Sequence, residues 1–164
     1  MFRLFVAATG VAASLAAASA QSAPPDAVAA PGLSVVATLH ADGAQIYACQ
    51  PDAAGKLGWR FREPIATLMR DGKTVGRHYV GPSWALDDGG LLVGKVVASA
   101  PGATAADVAS LKLDVVSRRG AGLFEGVTTI QRLHVKGGAA AGGCDAEGAT
   151  LAVAYSADYV FLKP

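Results

Sequence analysis

The sequence predicts an all-β protein: one antiparallel β-sandwich or β-barrel closed by a single disulfide and preceded by a signal peptide. Three observations lead there. Apolar and polar residues alternate with period two through most of residues 32–164, the mark of half-buried strands. Short clusters rich in Asp, Gly and Pro separate those runs and supply turns. Beyond the first twenty residues, no stretch repeats its apolar positions at helical spacing.

The chain opens with Met1, Phe2 and Arg3, then runs from Leu4 to Ala18 without a charge. Ala18-Ser19-Ala20 follows, a small-x-small cleavage site, so residues 1–20 read as a signal peptide and Gln21 as the mature start. The stretch is short and Ala-rich, with Gly10 and Ser14 inside it, which suits an export signal better than a membrane span. Export to a periplasmic or secreted location is the expectation, with no transmembrane segment in the mature chain. Residues 21–31 carry Pro24, Pro25 and Pro31 and read as a flexible lead, leaving 32–164 as the domain.

Composition narrows the partners. The chain has 14 Lys+Arg against 13 Asp+Glu, and Arg3 is the only charge in the first twenty residues, so the remainder is formally neutral. A neutral surface gives no footing for nucleic acid, whose phosphates are held by a basic one. Hydrophobic residues make up 52% of the chain, enough for a packed core. Cys49 and Cys144 are the only cysteines, so one intramolecular pairing exists. In an oxidising compartment they are expected to be joined.

The strands follow in order. Residues 33–40 and 44–50 flank Asp42-Gly43, a pair suited to a two-residue hairpin turn. That hairpin sets His40 opposite Gln45 and Val36 opposite Cys49. Residues 57–62, with Trp59 and Phe61, form a third strand. A second hairpin joins 65–70 to 73–80 through Asp71-Gly72, with Pro64 at its start, Leu68 facing Val75 and Ile65 facing His78. Asp87-Asp88-Gly89-Gly90 turns 83–86 into 91–98, and 101–110 holds one short helical turn. Strands at 111–117 and 127–135 flank the Gly120–Gly126 segment. Residues 137–148 form a Gly/Ala loop carrying Cys144, and 151–161 is the last strand. Eight to ten short strands at this spacing fit a sandwich or a barrel.

Read together, these pieces resemble the exported proteins of bacteria and fungi grouped as domain of unknown function 3455. The resemblance rests on Gln45-Ile46-Tyr47-Ala48-Cys49, Gly58-Trp59-Arg60-Phe61 with Glu63-Pro64, and His78-Tyr79-Val80-Gly81-Pro82-Ser83-Trp84 with Asp88-Gly89. It continues through Val127-Thr128-Thr129-Ile130-Gln131-Arg132, Gly137-Gly138, Cys144-Asp145 and Tyr155-Ser156-Ala157-Asp158-Tyr159. His-x-x-Gly-Pro-x-Trp is its most specific part. The resemblance implies an exported, β-rich domain and brings no established activity. Some fungal relatives carry a dehydrogenase label, but Gly120-Ala121-Gly122-Leu123-Phe124-Glu125-Gly126 has the wrong spacing for a dinucleotide loop and leads into a strand. No cofactor is expected.

Five residues are candidates for binding a ligand: His78, Trp84, Asp88, Arg132 and Tyr155. His78 ends one strand and Trp84 begins the next across Gly81-Pro82, so these two and Asp88 stand as the lining of one opening. A Trp wall suits a sugar ring or an apolar ligand, and His beside a carboxylate can act as a general base. The plainer reading puts Trp84 in the core and Asp88 in a turn, with His78 capping the network. Arg132 either reads an anion in a cavity or forms an internal salt bridge with Asp158 or Glu125. Tyr155 and Tyr159 share a strand face with Phe161, and Asp158 points the other way. His40, His78 and His134 lie too far apart in sequence to suggest a metal site.

Two functions follow as expectations. One is a non-catalytic exported domain that binds a small molecule or cell-envelope component near His78 and Trp84. The other is a small secreted hydrolase using His78 with Asp88 or Ser83, although Gly-Pro-Ser-Trp is not a nucleophile elbow.

Overall fold

A computed structural model of the protein describes residues 23–164. The expected signal peptide falls outside the described residues. The eight strands are β1 (Ser34–Pro51), β2 (Leu57–Arg70), β3 (Lys73–Tyr79), β4 (Ser83–Leu86), β5 (Leu91–Ala100), β6 (Ser110–Arg119), β7 (Thr129–Gly137) and β8 (Thr150–Lys163). Each pairs antiparallel with its neighbours in the chain, and β8 returns to β1, which closes an up-and-down barrel. Closure decides between the two architectures left open above, and it leaves no bare sheet edge along β1 or β8.

The expected hairpin at Asp42-Gly43 does not form. β1 runs straight through both residues, pairing Asp42 with Thr67 on one side and with Ser156 on the other. Gly43 is needed for a different reason. A Cβ there would lie 2.6 Å from the Ala66 Cα and would also collide with the Ile65 carbonyl, so its absence lets β2 press close against β1. His40 consequently faces Met69 and Asp158 rather than Gln45, and Cys49 faces Trp59 rather than Val36.

Residues 57–62 and 65–70 also belong to one strand, β2, so Pro64 sits inside it. Pro64 is tolerated because β2 meets β3 only from Ala66 onward, leaving no ladder bond on that side to lose. Arg62 is an extra residue in the β1–β2 ladder, between the pairs Ile46–Glu63 and Tyr47–Phe61. This bulge turns Phe61 to the same face as Tyr47. The Asp71-Gly72 hairpin forms as expected, but an irregularity at Leu68/Met69 moves its register by one. Leu68 faces Gly76 and Ala66 faces His78.

Residues 101–109 contain no helical turn. Instead the Asp107 carboxylate accepts bonds from the Thr104 N–H and hydroxyl (3.0 and 2.7 Å) and from the Gly137 N–H, 2.6 Å. Those bonds hold its pKa below the usual carboxylate range, the Gly137 bond foremost. They tie the segment to the end of β7.

Alternation along β1 sends Leu39, Ala41, Gln45, Tyr47 and Cys49 inward, all buried, and leaves His40 and Asp42 exposed. One end of the barrel is filled. There Phe124 joins Leu68, Leu86, Val127 and Phe161 in the packed core, and its ring lies 4.5 Å from that of Phe161. Phe124 comes from the glycine-rich 120–126 segment, which acts as a plug. At the opposite end the Cys49–Cys144 disulfide fastens the loop after β7 to the end of β1, with a Cα–Cα separation of 5.9 Å. It spans 95 residues, for which chain entropy alone gives about 4–5 kcal/mol.

The lead into the barrel packs on the outer wall. Asp26–Val28 makes a single 3-10 turn, and Val28 is buried among Ala100, Leu133 and Val160. The Gln131 amide, outward on β7, donates to the Val28 carbonyl at 2.6 Å.

Candidate functional site

The half of the barrel nearer the disulfide is hollow. A cavity of about 470 Å³ opens there, within the range of pockets that hold small organic ligands. Two inward rows of side chains build it, because residues paired across neighbouring strands share a face. In one row His78 on β3 faces Trp84 on β4, and the rings stack with centroids 4.7 Å apart. In the other, Leu111 on β6, Arg132 on β7 and Tyr159 on β8 stand side by side. The two rows meet where Tyr159 lies 4.8 Å from His78 and 5.3 Å from Trp84. Gln45 and Tyr47 from β1 complete the lining, with Phe61, Val80 and Val96 at the rim.

Trp84 is fully enclosed, and Gly94 on β5 makes the room. A Cβ on Gly94 would lie 3.0 Å from the Trp84 Cζ3. His78, only 2% exposed, is fixed by one bond, Nδ1 to the Ser83 carbonyl at 2.9 Å. A carbonyl can only accept, so Nδ1 carries the proton and Nε2 remains an acceptor. Burial lowers the His78 pKa to about 4 against the raising effect of the Ser83 carbonyl, and the Arg132 charge lowers it further. The imidazole is therefore neutral at physiological pH.

Arg132 is the cation of this interior. Its Nε and Nη2 both donate to the Ala109 carbonyl, at 3.0 and 2.8 Å, and the guanidinium also meets the Tyr159 hydroxyl. The salt bridge expected with Asp158 or Glu125 is not made. Asp158 points outward, where its two oxygens take the Nδ1 atoms of His40 and His134 at 2.9 Å each. Among the described residues, no carboxylate lies within ion-pair distance of Arg132. Two other donors among the cavity-lining residues are unmatched. Gln45 Nε2 and Trp84 Nε1 are buried without a hydrogen-bond partner.

Of the five candidate residues, the fold brings His78, Trp84 and Arg132 to the cavity wall. Tyr155 is buried just behind them, with its hydroxyl 3.5 Å from that of Tyr159. Burial raises the pKa of both tyrosines, keeping them protonated. Asp88 stands apart. Its carboxylate accepts from the Gly90 and Leu123 N–H groups at 2.9 Å each, which fastens the 120–126 plug to the β4–β5 turn. His78 thus has neither Asp88 nor the Ser83 hydroxyl as a partner. The expected hairpin set Gln45 opposite His40 and gave it no place in the site. The signal that reveals it is the unbroken odd-numbered alternation from Leu39 to Cys49.

A closed β-barrel with a plugged end and a lined hollow is the class of protein that this fold and site define. Within that class, residues 29–163 match the family described as protein of unknown function (DUF3455), and the chain belongs to it. No curated protein and no solved structure matches the chain.

Proposed function

We propose that the protein is an exported, non-catalytic binding protein that takes a small, largely apolar ligand into the hollow half of its barrel. The observation that carries this reading is the cavity itself. Its rim and much of its wall are apolar, while buried donors on Gln45 and Trp84 lack acceptors. Buried polar groups in folded proteins nearly always have partners, so unmatched donors beside a cavity suit a guest carrying acceptor atoms. The disulfide and the signal-like N-terminus support export. The wall also favours a barrel in water over one in lipid. His40, Asp42, Arg77 and Lys95 are exposed on the outside while most of the buried core is apolar, the reverse of a membrane barrel.

Catalysis has less support. A histidine held neutral down to about pH 4, bonded only to a backbone carbonyl, lacks the nucleophile and orienting carboxylate that hydrolysis requires. The binding reading is tested with N-phenyl-1-naphthylamine, a neutral apolar dye. The full chain carrying Trp59→Phe leaves Trp84 as the sole tryptophan. Saturable 1:1 dye binding with a matching change in Trp84 emission is expected. Dye emission that rises linearly without saturating contradicts the proposal.

A further inference from the structure

We infer that the ligand is an apolar acid, bound with its anionic head at the Arg132 guanidinium and its apolar body toward the rim formed by Phe61, Val80 and Val96. The inference rests on reading the cavity as a ligand site, and adds the chemistry of the guest and its direction.

Three observations carry it. First, Arg132 lines the cavity and, among the described residues, has no carboxylate to balance it. A partly buried cation without a counter-charge is costly, and an incoming anion removes that cost. Second, the guanidinium is already aimed. A guanidinium carries five N–H donors in a fixed fork; the Ala109 carbonyl takes two and Tyr159 meets the group as well, so the side chain is held while donors remain for an oxyanion. Third, polarity is graded with depth. Gln45, His78, Trp84 and Tyr159 are at most 2% exposed, whereas Phe61, Val80 and Val96 are 55%, 54% and 46% exposed. An amphiphile entering head first matches both zones; entering tail first, it would leave Arg132 facing hydrocarbon.

The second arginine at the cavity does not compete. Arg62 is matched by Glu63, with Nη2 and Nε 2.7 and 2.8 Å from one carboxylate oxygen. Among the described residues, the cavity wall therefore presents one cation without an acidic partner, the part-buried Arg132, the feature that selects an acid over a neutral molecule of the same shape.

The test uses decanoic acid and 1-decanol as displacers of bound N-phenyl-1-naphthylamine at pH 7.5, on the wild-type chain and on Arg132→Met and Arg132→Lys. In the wild type, decanoate should bind roughly tenfold or more tightly than decanol, the ratio that a charge-assisted bond supports. Arg132→Met should bring that ratio to about one, whatever its own affinity for the dye, and Arg132→Lys should keep part of it. Equal affinities for acid and alcohol in the wild type overturn the inference and leave the binding reading standing. If neither displaces the dye, the inference also fails. If the dye itself does not bind, the binding reading fails first. Should Arg132→Met not fold, the wild-type comparison alone still decides.

Discussion

The two halves of this barrel share strands but differ in what fills them. In the plugged half, Phe124 packs into the apolar core beside Phe161, and Asp88 holds the plug by two backbone bonds. In the hollow half, the inward positions carry His78, Arg132, Gln45 and Tyr159, whose polar atoms cannot all be matched by one another. The difference teaches where stability and binding reside. Apolar packing at one end supplies the stability that the other end, with its void and unmatched donors, forgoes.

The comparison is sharpened first by Phe124→Ala. Removing a fully buried ring from the plug should cost about 3–5 kcal/mol in denaturant titrations, with dye binding unchanged in the molecules that remain folded. A loss below about 1 kcal/mol would mean the plug is not what holds the barrel together.

Next in size is a pH effect from the hollow half. His78 has a folded pKa of about 4 against an ordinary 6.5. Above pH 6.5 the imidazole is neutral in both folded and unfolded chains. As pH falls from 6.5 toward 4, the unfolded chain takes up a proton that the folded chain refuses. Stability should therefore drop across that window by up to about 3 kcal/mol and level off below it. His78→Gln should remove this contribution in melts recorded from pH 7 to 4. An unchanged slope in the variant would show that His78 is not its source.

The smallest effect on stability is expected from Phe61→Ala at the rim. Phe61 is 55% exposed, so the change should stay within about 0.5 kcal/mol while weakening dye binding several-fold. A large loss of stability here would erase the contrast between the halves.

Much of this arrangement was legible in the sequence, and the misreadings have physical causes. Period-two alternation revealed the all-β class, and the two lone cysteines revealed their bridge. His78 and Trp84 were legible as neighbours because a short turn folds one strand directly onto the next. Asp88 was grouped with them by closeness in sequence. The strand carries the chain from Trp84 to Leu86, away from the cavity, and Asp88 lies in the turn beyond it, bonded to the plug. Asp42-Gly43 was read as a turn on local chemistry. In the folded chain Gly43 serves a close approach between strands, a need that only the tertiary packing discloses. Arg132 was legible as an inward cation. That a cavity surrounds it, and no carboxylate, depends on barrel closure, which bonds between distant strands decide.

The most direct test of the central claim is a map of ligand contacts by ¹H–¹⁵N NMR during titration with decanoate. The account predicts that the Trp84 indole N–H, the Gln45 side-chain amide and the Arg132 Nε–H shift together and saturate at one equivalent. The backbone amides of Leu39, Phe124 and Val127 in the plugged half should stay in place. Shifts confined to the outer wall, or spread equally over both halves, would contradict it.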